Sequence, residues 1–172
     1  MAADETLLLQ LLHDDKTRET AFSGLVAQYK QPLYWQIRRM VVRHEDADDV
    51  LQNTFLKAWT GLDSFRGQSK VSTWLYRIAY NETLNFLERQ KMPTQSVDDT
   101  TANFLQSDPY FDGDETQRQL QQAIATLPPK QRQVFLMKYY EEQKYEEMSE
   151  ILGTSVGALK ATYHFAVKKI TD

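Results

Sequence analysis

The stretch Asp46–Leu87 decides the fold, and it reads DADDVLQNTFLKAWTGLDSFRGQSKVSTWLYRIAYNETLNFL. Successive side chains on a helix are offset by about 100°, so apolar groups three and four positions apart share a face. The first part predicts a helix that begins near Asp46, with a buried stripe made of Ala47, Val50, Leu51, Thr54 and Ala58. The second part predicts a helix from about Ser72 to Arg89, with inward residues Leu75, Ile78, Ala79 and Phe86.

The side of the first helix that lies opposite its buried stripe has an unusual composition. It carries Asp49, Gln52, Asn53 and Leu56, flanked by Asp48, Phe55 and Trp59. Carboxylates mixed with large apolar groups indicate a docking surface for a basic partner. The alternative is that Phe55 and Trp59 are boundary residues of a wide core.

The second helix carries a separate stripe of Trp74, Arg77, Asn81 and Asn85 at spacings of three and four. An aromatic ring, a cation and two amides are the groups that stack on bases, pair with phosphates and bond base edges. Asparagine is a poor helix former, so two of them on one stripe favour this interpretation. The alternative is that Trp74 belongs to the core and the asparagines are ordinary surface residues.

The C-terminal stretch Tyr145–Ile170 reads YEEMSEILGTSVGALKATYHFAVKKI and predicts a helix-turn-helix. A short helix, Tyr145–Leu152, ends at Gly153, because glycine readily adopts the left-handed conformation of a helix cap. Thr154 or Ser155 can cap the following helix. Its inward residues are Val156, Leu159, Tyr163, Ala166 and Ile170, and its outward residues are Lys160, Ala161, His164, Phe165 and Lys168.

A helix with these outward residues fits the major groove of DNA. Lys160 and His164 can reach bases, and Lys168 can reach a phosphate. The alternative is a helical hairpin within a bundle that does not bind DNA.

Taken together, these motifs resemble the extracytoplasmic-function sigma factors of bacteria, a small two-domain class of RNA polymerase specificity subunits in the sigma-70 family. Asp46–Trp59 resembles the family's helix that binds core polymerase. Phe65–Lys91 resembles its segment that recognises the promoter −10 element, above all in the run STWLYRIAYN. Leu127–Ile170 resembles its −35-binding domain. The resemblance covers about Ala21–Lys91 and Thr116–Ile170, in the family's order and spacing.

The resemblance implies an all-α fold of two small helical domains joined by a flexible acidic linker, with the helix-turn-helix in the C-terminal domain. It places a region 2 domain at residues 1–91, the linker at 92–115 and a region 4 domain at 116–172. The implied function is to bind core RNA polymerase, recognise and melt the −10 element, and bind the −35 element. Family members are usually held inactive by an anti-sigma factor, which is often membrane-bound.

The resemblance also assigns site residues. The residues expected to bind core polymerase are Asp48, Asp49, Gln52, Asn53, Phe55, Leu56 and Trp59. Those expected to bind the −10 element are Phe65, Arg66, Lys70, Ser72, Trp74, Arg77, Asn81, Asn85 and Lys91. Those expected to bind the −35 element are Ser155, Gly157, Lys160, Ala161, Thr162, His164, Phe165 and Lys168.

The chain departs from the family at two positions of the recognition helix. The family commonly carries arginine near the positions that Thr162 and Phe165 occupy here. Thr162 can still bond a phosphate or a base. Phe165 cannot pair with phosphate, but its ring can contact a thymine methyl group or a protein partner.

The distribution of charge fits a DNA-binding protein that acts as part of a larger assembly. The chain has a net charge of −4, but residues 28–91 hold 10 basic and 7 acidic side chains, and residues 118–172 hold 8 and 6. Residues 92–117 hold 6 acidic side chains and no basic one. Net charges of +3 and +2 are weak footprints for phosphate binding, so we expect low affinity for DNA alone.

Met92–Glu115 reads as the linker between the domains. It is rich in Asp, Thr, Ser and Pro and shows no helical period, a composition that stays flexible unless a partner orders it. Its large apolar residues, Phe104, Leu105, Tyr110 and Phe111, suggest that it docks on the polymerase. The alternative is a short helical turn that packs on the chain's own domains.

Catalysis is not supported, because the chain has no cysteine, P-loop, glycine-rich dinucleotide turn or metal motif. We therefore expect no cofactor and no metal. The N-terminus lacks the features of a signal peptide and the apolar runs are too short to span a membrane, so we expect a cytoplasmic protein without direct membrane insertion.

Two other functions remain open from the sequence. One is a one-component regulator with a helical sensor domain, which has no reason to carry the Trp74 stripe. The other is a helical adaptor that binds only protein. A further expectation is that the two domains pack together in the free chain, because exposed Phe55, Trp59 and Phe165 would otherwise lie in water.

Overall fold

The computed structural model describes residues 2–90 and 115–171, with side chains from Glu5 onward. All regular secondary structure in these two ranges is helical, as predicted. The helices are α1 (Ala2–His13), α2 (Arg18–Arg38), α3 (His44–Thr60), α4 (Val71–Arg89), α5 (Glu115–Ala125), α6 (Pro129–Tyr139), α7 (Tyr145–Leu152) and α8 (Val156–Thr171). We call residues 2–90 the N-terminal half and residues 115–171 the C-terminal half.

The core of the N-terminal half lies where α2, α3 and α4 meet. The predicted stripe of α3 is confirmed, since Ala47, Val50, Leu51, Thr54 and Ala58 are all buried. The Thr54 hydroxyl donates a hydrogen bond to the carbonyl oxygen of Val50 at 2.8 Å, so its polar group is satisfied inside the core.

The inward face of α4 is also confirmed. Leu75 and Ala79 are fully buried, while Ile78 and Phe86 pack at the edge of the same core. The helix begins at Val71, one residue before the predicted start, and ends at Arg89. Burial on α3 and α4 therefore follows the helical period of the sequence, which leaves their other faces for function.

The helix-turn-helix in the C-terminal half has the predicted boundaries. Helix α7 ends at Gly153, whose φ of 69° is left-handed and whose N–H donates to the carbonyl oxygen of Ser149 at 2.9 Å. Ser155 is the cap of α8, because its hydroxyl accepts a hydrogen bond from the N–H of Ala158 at 3.2 Å. The paired helices enclose Met148, Ile151 and Leu159 with residues of α6.

The two halves lie against each other, mainly through α4 and α7. Met40, in the turn after α2, is 2% exposed and belongs to the hydrophobic cluster of the C-terminal half. Tyr76 of α4 packs on the core of the helix-turn-helix. The packing expected from the sequence is present, and it buries residues that the sequence did not single out.

The predicted linker, including Phe104, Leu105, Tyr110 and Phe111, lies outside the described residues. Among the described helices, none is long and apolar enough to cross a membrane.

Candidate nucleic-acid and protein interfaces

The outward face of α3 is an uncovered acidic and apolar surface. Asp49, Gln52 and Asn53 are exposed, and Leu56 is 62% exposed. Asp48 is half-buried and pairs with His44 one turn earlier, at 3.2 Å between Nε2 and Oδ2. An exposed leucine beside exposed amides gives a partner an apolar anchor with polar groups at its rim.

Two aromatic residues border the α3 surface and are held by one residue of α2. The ring of Phe22 contacts Phe55 edge-on at 6.4 Å and Trp59 at 5.1 Å between centroids. Phe55 is half-buried, whereas Trp59 is 40% exposed. The boundary interpretation is therefore right in part for Phe55, while Trp59 presents its ring to solvent from a fixed position.

The loop between α3 and α4 is held in place by α1. The Nε2 of His13 bonds the carbonyl oxygen of Leu62 at 2.9 Å, and the Arg18 guanidinium, at the start of α2, pairs with Asp63 at 2.6 Å. A Glu5 carboxylate oxygen accepts a hydrogen bond from the N–H of Val71 at 2.9 Å, which satisfies a free donor at the start of α4. Sequence reasoning missed these residues, because their partners lie 45 to 66 positions away in the chain.

Gly67 in this loop lies close to α1. Its φ is 83°, and a Cβ added there would meet the Leu9 side chain of α1 at 3.0 Å. A side chain would be strained by the backbone and would press on α1. The loop expected to contact melted DNA therefore packs closely against α1.

Three residues of the predicted Trp74 stripe line one cleft between α3 and α4. The cleft has a volume of about 650 Å³, and Trp74, Asn81 and Asn85 line it together with Gly61 and Ser64. Both asparagines are exposed and Trp74 is half-buried. An aromatic wall beside two amides can stack a base and bond its edge.

Phe65 packs behind the Trp74 wall of this cleft. Its ring is 4% exposed and stacks on Trp74 with 4.5 Å between centroids and 17° between planes. In this conformation its ring is not open to a base, and it holds the Trp74 indole in position. The neighbouring Arg66 is exposed, and its backbone N–H donates to the side chain of Gln68 at 2.8 Å.

An ion pair between a buried carboxylate and an exposed ammonium lines the same cleft. Glu82 is 7% exposed and its carboxylate pairs with the Lys57 ammonium of α3 at 2.6 Å. A carboxylate this deeply buried requires a cation partner. The pair joins the polymerase-binding helix expected from the sequence to the base-binding helix, and neither residue was predicted.

The remaining predicted −10 residues lie on another side of α4. Lys70 and Ser72 line a cavity of about 520 Å³ between the two halves of the chain. The Arg77 guanidinium donates hydrogen bonds to the carbonyl oxygens of Glu150 and Ile151, the latter at 3.3 Å. The structure thus separates Arg77 from Trp74, Asn81 and Asn85, and Lys91 lies outside the described residues.

Helix α8 presents the expected −35 surface to solvent. The exposed residues of this surface are Ser155, Gly157, Lys160, Ala161, His164, Phe165 and Lys168. Thr162 is half-buried, and its hydroxyl donates to the carbonyl oxygen of Ala158 at 2.9 Å.

Domain packing does not cover the large apolar residues as we expected. Phe165 is 59% exposed and Trp59 is 40% exposed. The prediction that packing would remove them from water is wrong, because the two halves meet through α4 and α7 and leave α3 and α8 facing outward. Both residues remain available to partners.

Two family models match the sequence of this chain. The model described as Sigma-70 region 2 matches residues 25–92, which include most of α2 and all of α3 and α4. The model described as Sigma-70, region 4 matches residues 117–170, which include the helix-turn-helix. These matches define the class as a sigma factor of the sigma-70 type, and they leave α1 outside the matched residues.

Curated relatives match nearly the whole chain. The ECF RNA polymerase sigma factor SigW of Bacillus subtilis (strain 168) is 35% identical in an alignment of 162 positions that covers 87% of this chain and 86% of SigW. The RNA polymerase sigma-H factor of Pseudomonas aeruginosa is 30% identical in an alignment of 170 positions that covers 92% of this chain and 86% of the relative. The chain therefore belongs to the extracytoplasmic-function (ECF) sigma factors of the sigma-70 family.

Solved structures share the fold. CnrH, in complex with the cytosolic domain of CnrY, superposes with a TM-score of 0.70 at 24% identity, over 98% of this chain and 95% of CnrH. The sigma factor RpoE of Bartonella quintana, in complex with the anti-sigma factor NepR, gives a TM-score of 0.65 at 21% identity, over 87% of this chain and 93% of RpoE.

Proposed function

We propose that this sigma factor uses three separate surfaces, one for core RNA polymerase and two for promoter DNA. As an ECF sigma factor, the chain directs promoter-specific transcription initiation and is a polymerase subunit rather than an enzyme. The observation that carries the proposal is the joint exposure of the α3 face, the α3–α4 cleft and the outward face of α8 within one fold.

The α3–α4 cleft is the proposed site for a base of the melted −10 element. Reading a base outside the helix stack requires a pocket with a stacking surface and hydrogen-bonding groups. Trp74 provides the ring, held by buried Phe65, and Asn81 and Asn85 provide the amides. Arg66, Lys70, Ser72, Arg77 and Lys91 are proposed to contact the backbone around it.

The outward face of α8 is the proposed reader of the −35 element. Its exposed cations, Lys160 and Lys168, can meet phosphates or bases, and His164 can bond a base edge. Phe165 is proposed to contact a thymine methyl group, because its exposed ring offers only apolar surface. Ser155, Gly157, Ala161 and Thr162 complete the surface.

The α3 face is the proposed docking surface for core polymerase. Leu56 is the apolar anchor, Trp59 and Phe55 border it, and Asp49 and Gln52 supply polar contacts to a basic partner. Asp48 and Asn53 complete the polar rim.

An anti-sigma factor and a cytoplasmic location follow by analogy with the relatives. The matched structures CnrH and RpoE were solved with the cytosolic domain of CnrY and the anti-sigma factor NepR. We therefore propose that this chain acts in the cytoplasm and is restrained by an anti-sigma factor, which is membrane-bound in many family members. The proposed domains are residues 1–91 and 116–172, with the acidic linker at 92–115 between them.

Run-off transcription with bacterial core polymerase and fragments of the host genome tests this function. We expect initiation at a defined set of start sites, which reveals the −10 and −35 sequences together. The double variant Gln52→Arg/Leu56→Arg should lose polymerase binding but keep its fold, because both positions are exposed. Sequence-specific binding to duplex DNA by the chain alone, without binding to core polymerase, would instead identify a one-component regulator.

Phe165 offers a separate test of the −35 surface. Phe165→Arg should tighten DNA binding and steepen the slope of log K against log salt concentration by about 0.9, because one more phosphate is neutralised. Phe165→Ala should lose preference at one base position without changing that slope. An unchanged slope in the arginine variant would place residue 165 away from the DNA backbone.

A further inference from the structure

Helix α1 lies along the loop that joins α3 to α4, which we call the α3–α4 loop (residues 61–70). Glu5, Leu9 and His13 are spaced four positions apart on α1, so their side chains share one face of the helix. This face contacts the loop near its start, in its middle and at its end. The region 2 family model matches the chain from residue 25 onward, so α1 lies outside the matched residues.

The two outer contacts hold backbone groups at the borders of the loop. The Nε2 of His13 donates a hydrogen bond to the carbonyl oxygen of Leu62 at 2.9 Å. A carboxylate oxygen of Glu5 accepts a hydrogen bond from the N–H of Val71 at 2.9 Å. Because both bonds involve the backbone, they fix the path of the chain at the two borders of the loop.

The middle contact joins Gly67 and Leu9. Gly67 has a φ of 83°, and a Cβ added there would meet the Leu9 side chain at 3.0 Å. A segment of nine residues can extend over about 30 Å, whereas the outer contacts on α1 lie just over two helical turns, or about 12 Å, apart. The contacts with α1 therefore favour a compact loop whose backbone lies against Leu9.

Helix α1 is itself fixed to the rest of the N-terminal half. Leu12 is fully buried in the core. The Thr17 hydroxyl donates to the carbonyl oxygen of Leu11 at 2.7 Å, and the Arg18 Nε donates to that of Leu12 at 2.9 Å, so two carbonyls in the last turn of α1 are satisfied. The same Arg18 guanidinium pairs with Asp63 of the loop at 2.6 Å. One side chain thus joins the end of α1 to the start of the loop.

The contacts with α1 flank the residues that are proposed to contact melted DNA. Arg66 is exposed within the loop, and buried Phe65 stacks on Trp74 with 4.5 Å between centroids. Phe65 follows Leu62 by three positions, and Trp74 follows Val71 by three positions. A shift of either attachment to α1 would therefore move one ring of the stacked pair relative to the other, and with it the wall of the α3–α4 cleft.

We propose that α1 is a template that shapes the α3–α4 loop for base selection, and that Glu5, Leu9 and His13 are positioning residues for reading the −10 element. These residues act through the loop and need no contact with DNA. The proposal rests on the proposed function of the loop and the α3–α4 cleft as the −10 site. Loss of a positioning contact should lower the preference for the correct −10 base while polymerase binding stays the same.

The first arm of the test measures the loop in the free chain, without polymerase or DNA. Amide exchange followed by nuclear magnetic resonance reports the Val71 N–H directly. Glu5→Ala removes the acceptor of this N–H, which should then exchange about 2- to 30-fold faster, as expected for the loss of a helix N-terminal cap. Glu5→Gln keeps an oxygen acceptor and should retain most of the protection. Glu19→Ala removes the same charge from an exposed position at the start of α2 and should change nothing.

The second arm measures base selection during initiation. Promoter templates that carry each single-base substitution in the −10 element give the ratio of initiation rates between the natural base and its substitutes. Glu5→Ala and His13→Ala should lower this ratio severalfold, and Glu5→Gln should restore it. The corresponding ratio for the −35 element and the Kd for core polymerase should not change, because α8 and the α3 face lie away from the loop. A general loss of structure would lower all three together.

Circular dichroism at the assay temperature shows whether each variant is folded. If His13→Ala does not fold, Glu5→Ala and Leu9→Ala decide the outcome. Unchanged exchange of the Val71 N–H in Glu5→Ala would overturn the contact with α1. Equal losses of selection at the −10 and −35 elements would overturn the positioning role.

Trp74→Ala separates this proposal from the proposed function, because Trp74 lines the cleft itself. An unchanged −10 ratio in Trp74→Ala would overturn the cleft as the −10 site and leave the exchange result standing. A lowered ratio in Trp74→Ala, with unchanged ratios in the folded α1 variants, would overturn the positioning role alone.

Discussion

Two leucines five positions apart on α3 allow binding to be separated from folding. Leu51 is 7% exposed and belongs to the core, whereas Leu56 is 62% exposed on the proposed polymerase surface. Leu51→Ala and Leu56→Ala remove the same atoms from the same helix. Any difference between the two variants therefore reports the surroundings of each side chain.

The structure sets the magnitude expected for each variant. Leu51→Ala leaves a cavity in the core and should lower the free energy of unfolding by about 2–5 kcal/mol. Leu56→Ala should change that free energy by less than about 0.5 kcal/mol. Full burial of a leucine contributes about 1.5–3 kcal/mol, so covering the exposed 62% of Leu56 contributes about 1–2 kcal/mol, or roughly a 5- to 30-fold change in Kd.

Two assays read these effects separately. Urea unfolding followed by circular dichroism gives the free energy of unfolding, and competition with a labelled copy of the unmodified chain gives Kd for core polymerase. A Leu56→Ala chain that is as stable as the unmodified one and binds polymerase equally tightly would refute the assignment of the α3 face. A loss of stability similar to that of Leu51→Ala would refute the exposure on which the argument depends.

Three further predictions concern stability. Lys57→Met should lower the free energy of unfolding by about 1–3 kcal/mol, because it leaves the Glu82 carboxylate, which is 7% exposed, without its cation. Adding Glu82→Leu should recover most of this loss, as measured by urea unfolding in a double-mutant cycle. Gly153→Ala should lower the free energy of unfolding by about 1–2 kcal/mol, because the left-handed φ of 69° disfavours a side chain, although an added Cβ meets no atom within 4 Å. Gly153→Asn should lower this free energy less, as measured by thermal unfolding. Burial raises the pKa of Glu141 above its ordinary value of 4.5, although Gln143 and Arg39 oppose the shift, so the folded chain binds this proton more tightly than the unfolded chain. The resulting stabilisation is present below pH 4.5 and is lost as the pH rises through the raised pKa of Glu141. The unfolding temperature of Glu141→Gln, relative to that of the unmodified chain, should therefore rise between pH 4.5 and 7. A constant difference between the two unfolding temperatures would contradict the raised pKa.

Burial of Tyr76 illustrates how the two halves alter each other's chemistry. Desolvation, with the nearby Glu141 carboxylate as a smaller cause, raises the pKa of Tyr76 to about 12. The tyrosine comes from α4 and the glutamate from the turn after α6, so neither half alone creates this environment. The phenol therefore stays protonated at physiological pH and serves as a packing group in the interface.

The helical elements that carry function were predictable because their signals are local. All five residues of the predicted α3 stripe are buried, and α7 has the predicted bounds Tyr145–Leu152. Helix periodicity depends only on neighbours three and four positions away, and a left-handed glycine cap depends on a single residue. The same periodicity places Leu56 and Phe165 off the buried stripes of their own helices, whereas their exposure depends on which faces the two halves bury.

The sequence by itself determined helices α3, α4, α7 and α8, the inward faces of α3 and α4, and the family to which the chain belongs. Only the tertiary structure decided that Phe65 stacks on Trp74, that Glu5 accepts a hydrogen bond from the first N–H of α4, and that Arg77 bonds the carbonyls at the end of α7. The physical reason is separation along the chain: Glu5 and Arg77 reach partners 66 and 74 positions away. Such contacts depend on how whole helices pack. The spacing of apolar residues shows which face of a helix is buried, but it does not identify the other helix that covers that face.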